Sequence, residues 1–304
     1  NIMKRWLRRT LWAGAALAAT AAALIAGGTQ MAERKMNRPL TLEVASPAIV
    51  QDAASIERGR YLFASRGCVD CHGANGAGRT FIDDANGLLV RGPNLTPGAN
   101  SVVVGYRSAD WDRVVRHGIK RDGRPALIMP SEDYNRFTDQ DLAALAAYVQ
   151  QLPAVDGEPG IVRLPVLVKL LYAAGVVKDA YEKIDHTLPV QTPVAEGVNV
   201  AHGAYVANMC MGCHGEKLAG GKIPGAPPDW PAASNLTSAP EGAMHRYLSA
   251  QQFRQMLTTG TRPDGSAVST VMPFGSLESM SQTDADALYL YLKALPPVPA
   301  GSKR

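Results

Sequence analysis

Cys68-Val-Asp-Cys71-His72 is a Cys-x-x-Cys-His motif, and it recurs as Cys210-Met-Gly-Cys213-His214, so the two copies hold all four cysteines of the 304-residue chain. On a helical turn, cysteines at positions i and i+3 face the same side and the histidine follows directly. Two thioethers can then hold a porphyrin while the imidazole reaches its iron, and this spacing is the signature of covalent haem attachment. The sequence therefore predicts two covalently bound haem c groups.

Two other chemistries use the Cys-x-x-Cys spacing. Four thiolates can hold a tetrahedral zinc ion, and a cysteine pair can carry out dithiol exchange. A zinc ribbon needs its two cysteine pairs close together, whereas these pairs are a whole repeat unit apart in the sequence. A dithiol site would leave both adjacent histidines without a role. Haem attachment is therefore favoured at both motifs.

The chain contains an internal repeat that extends well beyond the cysteine motifs. Residues of the first half recur in the second half at an offset close to 142 positions, which indicates two copies of one domain. The matching pairs are Gly59 and Gly203, Tyr61 and Tyr205, Asn94-Leu95-Thr96 and Asn235-Leu236-Thr237, Asp122-Gly123 and Asp264-Gly265, Met129-Pro130 and Met272-Pro273, and Leu152-Pro153 and Leu295-Pro296.

Each copy is predicted to end in a helix that packs into the core of its domain. Thr138 with Asp141, and Ser281 with Asp284, have the pattern of an N-cap followed by an acid at the third helical position. Apolar residues at helical spacing then form one stripe in each copy. The stripes are Leu142, Leu145, Val149 and Leu152 in the first copy and Leu288, Leu292 and Leu295 in the second. Strand signals are sparse. The best candidate is 101–106, and the alternative is that this segment is the edge of a loop.

A haem iron that is held by histidine has either a sixth ligand or an open face. Met129 and Met272 are the candidates for the sixth ligand, because each follows its first cysteine at nearly the same interval and precedes a proline. The other histidines compete for this role, but none of them recurs in both copies; they are His117, His186, His202 and His245. Five further methionines are expected to fill gaps in the cores; they are Met209, Met211, Met244, Met256 and Met280.

The predicted haem-binding residues therefore form two equivalent sets. Those of the first haem are Cys68, Cys71, His72 and Met129, and those of the second are Cys210, Cys213, His214 and Met272. The iron ligands among them are His72, Met129, His214 and Met272. A thioether ligand favours iron(II) and raises the reduction potential relative to two histidines. Since neither iron would keep a free site, electron transfer is favoured over catalysis, and no catalytic residue is predicted.

A histidine ligand usually donates its second ring N–H to a carbonyl or carboxylate. The loop Gly92-Pro93-Asn94 is the expected acceptor in the first copy. Four prolines compete for this role in the second copy; they are Pro224, Pro227, Pro228 and Pro231. The two Asn-Leu-Thr segments and Trp111 either line the propionate edge of a haem or are ordinary turn and core residues.

The charge of the chain argues against nucleic acid as a partner. The net charge is +4, but residues 1–38 alone contribute +6, so the remainder is slightly acidic. Nucleic-acid binding would need a basic surface outside this segment.

Residues 10–32 carry no charged side chain and follow a basic cluster. As a helix they would measure about 35 Å, which is enough to span a bilayer. The segment is rich in alanine and only weakly apolar, so a removable secretory signal is the alternative. We expect an uncleaved anchor. Basic residues on both sides hardly decide its orientation.

The chain resembles the membrane-anchored dihaem cytochromes c, similar to the cytochrome subunits of periplasmic alcohol, aldehyde and gluconate dehydrogenases. Besides the haem motifs, the resemblance rests on four segments between about Glu57 and Pro297. They are Arg116-His117-Gly118, Asp122-Gly123-Arg124-Pro125, Pro227-Pro228-Asp229-Trp230-Pro231, and Arg262-Pro263-Asp264-Gly265. Those dehydrogenase subunits commonly carry three haems and this chain has two motifs, so their electron route does not transfer directly.

The resemblance implies a mainly α fold with two tandem class I cytochrome c domains after an N-terminal transmembrane helix. The expected ranges are a cytoplasmic basic segment 1–9, an anchor 10–32, a linker 33–52, domain 1 at 53–156, an interdomain linker 157–197 and domain 2 at 198–304. Within that linker, Arg163 to Gly175 is predicted to contain a short helix that starts near Pro165. This helix packs between the domains, against a partner, or over the core of one domain.

The resemblance also implies a place and a role for the chain. Haem attachment on the outer side of a bacterial cytoplasmic membrane sets the N-terminus in the cytoplasm and both haem domains in the periplasm. We expect single-electron relay within a respiratory or dehydrogenase complex, from a dehydrogenase or quinol-oxidising subunit to a terminal oxidase or soluble cytochrome. The alternative is a dihaem enzyme, such as a peroxidase, with one haem open to substrate.

Overall fold

The computed structural model describes residues 2–223, 225–227 and 229–302, and this part of the chain is mainly helical, as predicted. Its α-helices are α1 Ile2–Met36, α2 Ala53–Ser65, α3 Cys68–His72, α4 Ser108–His117, α5 Ser131–Tyr134, α6 Asp139–Val149, α7 Val166–Ala173, α8 Ala180–Lys183, α9 Val200–Val206, α10 Met211–His214, α11 Ala250–Thr259, α12 Phe274–Leu277 and α13 Gln282–Ala294. Its strands are β1 Thr80–Asp83, β2 Leu89–Arg91 and β3 Ile161–Arg163, and short 3₁₀ helices occupy Ala207–Cys210 and Ala243–Arg246.

Helix α1 contains the predicted anchor 10–32. By length and composition it is the one helix in the described part of the chain that could cross a membrane. Its side chains are almost all exposed up to Gly27, and packing against the rest of the protein begins at Gly28.

The two predicted copies have the same helix packing. In the first, α2 packs against α6, and in the second, α9 packs against α13. A glycine lies at each crossing: a Cβ atom on Gly59 would overlap the carbonyl oxygen of Ala144, and one on Gly203 would overlap that of Ala287. This close approach explains why the glycine recurs in the repeat. The predicted domain ranges enclose these helices, and their end points stay predictions.

Each copy has its own apolar core, and the predicted stripes lie in them. Leu142, Leu145, Val149 and Leu152 are buried in domain 1. Leu288 and Leu292 are buried in domain 2, where Leu295 is partly buried against the same cluster. The prediction for the five gap-filling methionines is confirmed, since Met244 and Met256 lie in the second core and Met209, Met211 and Met280 pack against it.

The strand prediction for 101–106 is wrong. Within that segment only Ser101 takes part in β pairing, as an isolated bridge to Asn94. The small sheet has the order β1-β2-β3 with antiparallel pairs, and β3 comes from the interdomain linker. Strands of three or four residues are too short to show an alternating pattern in the sequence.

The predicted linker helix exists as α7, with Pro165 as its N-cap and Gly175 in the left-handed region (φ +76°) just after its end. It packs across the end of α1, where Lys169 Nζ lies 2.5 Å from Glu33 Oε1 and Lys35 Nζ donates to the Tyr172 carbonyl at 3.0 Å. On its other side, Val168 packs against the small cluster of Leu88, Val90 and Leu164. The helix therefore joins domain 1 to α1.

The two domains contact each other through the same residues in both directions. The Tyr61 hydroxyl donates to Asp284 Oδ2 at 2.5 Å, and the Tyr205 hydroxyl donates to Asp141 Oδ2 at 2.7 Å. Each tyrosine also accepts a backbone N–H from the N-cap of the other domain's terminal helix, Ser281 and Thr138 respectively. Such reciprocity is the mark of a two-fold interface, here between two halves of one chain.

Asp284 is the most constrained group of this interface. Its buried carboxylate is paired with the buried Arg66 guanidinium and lies 2.7 Å from His202 Nε2. Burial by itself would raise the pKa of Asp284. The charge of Arg66 outweighs this effect, together with hydrogen bonds from Tyr61, Arg66 and His202, and the pKa is lowered to about 2.

Asp284→Asn should therefore destabilise the protein. Breaking a buried ion pair leaves an uncompensated charge, here on Arg66, and such losses are roughly 3–5 kcal/mol. The ionised carboxylate stabilises the native state fully above its ordinary pKa of 3.8, and this contribution is lost as the pH falls towards about 2. The variant should lack that part of the acid dependence. Urea unfolding of the holoprotein at a series of pH values measures both effects.

The repeat supplies a matched control. Asp141→Asn removes the equivalent carboxylate, but its partner Arg58 is 28% exposed and can be solvated by water. The loss of stability should be clearly smaller than for Asp284→Asn. Equal losses at the two positions would contradict the role given to burial of Arg66.

Candidate haem-binding sites

The first Cys-x-x-Cys-His motif forms the single helical turn α3, with Gly67 (φ +88°) before it and Gly73 (φ +74°) after it. His72 Nδ1 lies 3.0 Å from the Pro93 carbonyl oxygen, as predicted. Because a carbonyl can only accept, Nδ1 carries the proton and Nε2 keeps a free lone pair. Burial lowers the pKa of His72, although the hydrogen bond to Pro93 acts in the opposite direction. The lowered pKa favours the neutral imidazole, which is the form that binds a metal.

The loop that supplies the Pro93 carbonyl approaches the motif very closely. A Cβ atom on Gly92 would overlap the carbonyl oxygen of Cys71, and one on Gly78, whose φ is +87°, would overlap that of Gly92. Backbone therefore lies directly on backbone at this point. The position of the histidine ring therefore depends on Gly78 and Gly92. The sequence analysis did not predict that glycine is required at these two positions.

A cavity of about 1030 Å³ opens beside this motif. Its lining includes Cys68, Cys71 and His72 on one side and the predicted ligand Met129, so the structure brings the first set of predicted residues together. The volume is at the upper end of the roughly 300–1,000 Å³ of small-molecule sites. A space of this size suits a large planar cofactor.

Trp111 provides an independent test of whether a haem fits. Its indole is 4% exposed and lines the cavity, and its Nε1–H is buried without a hydrogen-bond partner. A buried donor of this kind calls for an acceptor. A haem propionate would supply one. The residues present therefore fit a haem.

The second motif has the same internal arrangement. His214 Nδ1 lies 2.7 Å from the carbonyl oxygen of Ser234, so the acceptor is not a proline as predicted. Pro227 and Pro231 do not hold this position, and Pro224 and Pro228 lie outside the described residues. The backbone of 233–234 lies directly against Gly220, whose φ is +69°. This close approach brings the Ser234 carbonyl to His214.

Met272 packs on the second core cluster together with Cys210, in the position that Met129 takes beside Cys68 in the first. The repeat at sequence level is thus a repeat in space. Assignment of the two methionines as iron ligands stays a prediction.

The asparagines of the two Asn-Leu-Thr segments have a structural role, and Leu95 of the first segment lines the cavity. Asn94 Nδ2 donates to the carbonyls of Ala99 and Val155, at 2.9 and 2.8 Å. Asn235 Nδ2 donates to the Val298 carbonyl at 2.7 Å. In both copies the buried amide therefore ties the haem-side loop to the chain that follows the terminal helix.

The alternative chemistries find no support among the described residues. Nowhere there do three His, Cys, Asp or Glu side chains converge where an ion could sit. All four cysteines are free. Burial raises the pKa of Cys68 and Cys210 to about 12, and of Cys71 and Cys213 to about 11.

The competing histidines have partners away from the cavity. His202 pairs with Asp284, and the rings of His117 and His186 meet with their Nδ1 atoms 3.0 Å apart. His245 Nε2 lies 2.9 Å from the carbonyl oxygen of Ala239.

The sequence analysis missed a direct junction between the two sites. Asp70, next to Cys71, accepts a hydrogen bond from Ser276 Oγ at 2.5 Å, four residues after Met272. Asp133, four residues after Met129, accepts from the backbone N–H of Gly212, next to Cys213, at 2.6 Å. Each haem motif therefore touches the methionine loop of the other domain. The sequence holds one signal for this junction. Asp70 and Gly212 occupy equivalent positions of the repeat, and so do Asp133 and Ser276.

Two haem-binding motifs on two helical domains define a c-type cytochrome. The cytochrome c family model matches residues 56–153 and 200–296, so the chain belongs to the cytochrome c family, with two domains. Cytochrome c domains bind haem covalently, which confirms the class of cofactor.

Curated relatives give the more particular likeness. The chain is 28% identical to the fructose dehydrogenase cytochrome subunit of Gluconobacter japonicus, over 80% of this chain and 53% of that one. It is 30% identical to the cytochrome c subunit of the alcohol dehydrogenase (quinone) of Gluconacetobacter polyoxogenes, over 82% and 57%. A dihaem cytochrome c-type protein of Cereibacter sphaeroides is 30% identical over about half of each chain.

The chain spans little more than half the length of the dehydrogenase subunits that it matches. These relatives are named as cytochrome subunits of dehydrogenases. The resemblance stated from the sequence, to cytochrome c subunits of dehydrogenases, is confirmed.

Gly92→Ala tests the geometry of the first site. The added Cβ would displace the loop from Cys71 and move the Pro93 carbonyl away from His72. We expect the first haem to be lost or weakly ligated in most of the purified chain, since positioning groups around a metal ligand typically matter 10–100-fold. Haem content and the absorbance of the reduced protein measure this, and the second haem is the internal control. Full incorporation of both haems with unchanged spectra would contradict the assignment.

Proposed function

We propose that this chain relays single electrons between two covalently bound haems c on the periplasmic face of a bacterial cytoplasmic membrane. It acts as a subunit of a respiratory or dehydrogenase complex and has no substrate of its own. The junction of the two sites supports this proposal most directly, because one hydrogen bond joins each haem motif to the methionine loop of the other domain.

The proposed roles of the residues follow from the site. Cys68 and Cys71 hold the first haem by thioethers, and Cys210 and Cys213 hold the second. The iron ligands are His72 with Met129, and His214 with Met272. The haem iron supplies one-electron redox chemistry when bound. The chain fixes the imidazoles through the Pro93 and Ser234 carbonyls and encloses the first site with the apolar walls of its cavity.

The proposed location follows from α1 and from the side of the membrane where haem is attached. Residues 10–32 span the membrane, 1–9 lie in the cytoplasm, and both haem domains lie in the periplasm. Electrons enter from a dehydrogenase or quinol-oxidising subunit and leave to a terminal oxidase or soluble cytochrome. The names of the relatives support a dehydrogenase complex as the setting.

The methionine ligands are tested by substitution. Met129→Ala and Met272→Ala should each lower the potential of one haem by on the order of 100 mV, a fraction of the roughly 0.8 V that axial ligands span. The other haem should be nearly unchanged. Spectroelectrochemical titration of the holoprotein resolves the two couples.

Met280→Ala is the matched control, because Met280 is partly buried against the same core as Met272. It should leave both potentials unchanged. If Met280→Ala lowers a potential and Met272→Ala does not, the second ligand assignment is wrong.

Purification of the complete chain from membranes in mild detergent tests the wider role. We expect a dehydrogenase subunit, or a quinol-oxidising subunit, to copurify and to reduce both haems when its substrate is added. Recovery of a chain that lacks its N-terminal segment, without partners, would contradict the membrane-complex proposal and indicate a free periplasmic carrier.

A further inference from the structure

Helix α7 presents a large apolar surface that the two haem domains do not cover. Leu167 is 66% exposed and Val166 is 52% exposed, and Val176, just after the helix, is 68% exposed. Single exposed apolar residues need no explanation, but a group of them on one element marks an interaction site. Leu167 and Val166 lie on α7, which packs against α1, and Val176 lies just after it.

The position of α7 along α1 sets its depth. A Cβ atom on Gly28 would overlap Cδ2 of Leu170, so this leucine reaches Gly28. Gly28 lies four residues, or about 6 Å, before the end of the uncharged segment at Ala32. Ala32 itself is fully buried under the same contact.

The direction of the exposed face follows from the same contact. Residues 167, 170 and 174 lie on one face of α7 at helical spacing. Leu170 makes the contact deepest within the uncharged segment, whereas Lys169 and Tyr172 contact Glu33 and Lys35, closer to the domains. The face of Leu167 therefore points along α1 away from domain 1.

The charged groups around α7 suit the interface between a bilayer and water, because the acidic groups are paired and several basic groups are not. The acidic side chains are neutralised, since Glu33 pairs with Lys169, Glu182 with Lys35, and Asp179 with Arg38. Three cations that flank α7 or the end of α1 form no ion pair with any described residue; they are Arg34, Arg163 and Lys178. Free cations beside an apolar face favour anionic headgroups.

We infer that α7 is a second membrane contact, a short interfacial helix whose apolar face enters the outer leaflet beside α1. Interfacial helices bury their apolar face about 5–10 Å into the headgroup and acyl boundary, which matches the depth set by Gly28. The inference rests on the proposed anchor. Its consequence is that domain 1 is held against the membrane by two contacts and cannot swing freely about a single tether.

Fluorescence quenching in vesicles tests this contact. In the haem-loaded full-length chain the native cysteines are bound to haem, so Leu167→Cys introduces one free thiol for a bimane label. The labelled protein is reconstituted in phosphatidylcholine and phosphatidylglycerol vesicles, with acyl chains that are either brominated or not. Comparing the two vesicle types removes quenching by haem. We expect loss of fluorescence in the brominated vesicles.

Two control positions separate the inference from the proposed function. Leu248→Cys, at a side chain 81% exposed on domain 2, should show no quenching by bromine. Leu17→Cys, in the middle of the anchor, should be strongly quenched. Quenching at 17 without quenching at 167 overturns the interfacial helix and leaves the anchor intact. No quenching at 17 overturns the anchor itself. Equal quenching at 167 and 248 overturns the specific contact.

Discussion

Each domain inserts a tyrosine from its first helix into the N-terminus of the other domain's terminal helix, and the rest of the structure depends on this exchange. Tyr61 bonds to Asp284, and Tyr205 bonds to Asp141. The carboxylates are also the third helical residues of the N-cap pattern, so one acid serves both its own helix and the neighbouring domain. Because the exchange is reciprocal, it fixes both the distance and the rotation between domains. Each haem motif is thereby brought into contact with the methionine loop of the other domain, through Asp70 and Asp133.

The two domains differ in two structural respects. Arg66 is buried against Asp284, whereas Arg58, the cation that pairs with Asp141, reaches solvent. Domain 1 alone packs against the end of α1, through α7 and through backbone contacts such as Leu40 N–H to the Gly123 carbonyl at 2.8 Å. The first haem site is therefore next to the end of α1, and the second is farther along the chain. In the proposed relay, this arrangement gives the electron path a membrane end and a distal end.

Local signals made most of the fold predictable. The haem motifs, the N-caps at Thr138 and Ser281, the leucine stripes and the start of α7 at Pro165 all depend on residues close together in sequence. The three short strands were missed. Asn86-Gly87 between β1 and β2 is a local hairpin signal, whereas β3 comes from a segment about 70 residues later that no sequence pattern links to β2. The segment 101–106 has the composition of a strand but lacks a neighbouring edge to pair with along its length.

The candidate site was also predictable where its residues belong to short or repeated motifs, and it was not predictable where they depend on packing between distant segments. Repetition identified both cysteine motifs and Met129 and Met272, and the carbonyl of Pro93 was expected from its loop. Ser234 was missed because several prolines nearby offered equal alternatives, and the carbonyl is selected by the backbone path at Gly220. The orphaned indole N–H of Trp111 and the Asp70–Ser276 contact depend on packing between distant segments. Such contacts become visible only in three dimensions.

We propose that each haem iron would be held by one histidine and one methionine, which would leave it no site for a substrate, so that the chain exchanges only electrons. Low-temperature electron paramagnetic resonance of the oxidised, haem-loaded chain tests it most directly. The account predicts two low-spin ferric signals of equal intensity that together account for both irons. A high-spin ferric signal from either iron at neutral pH would contradict it, because it would reveal an open or weakly held coordination position.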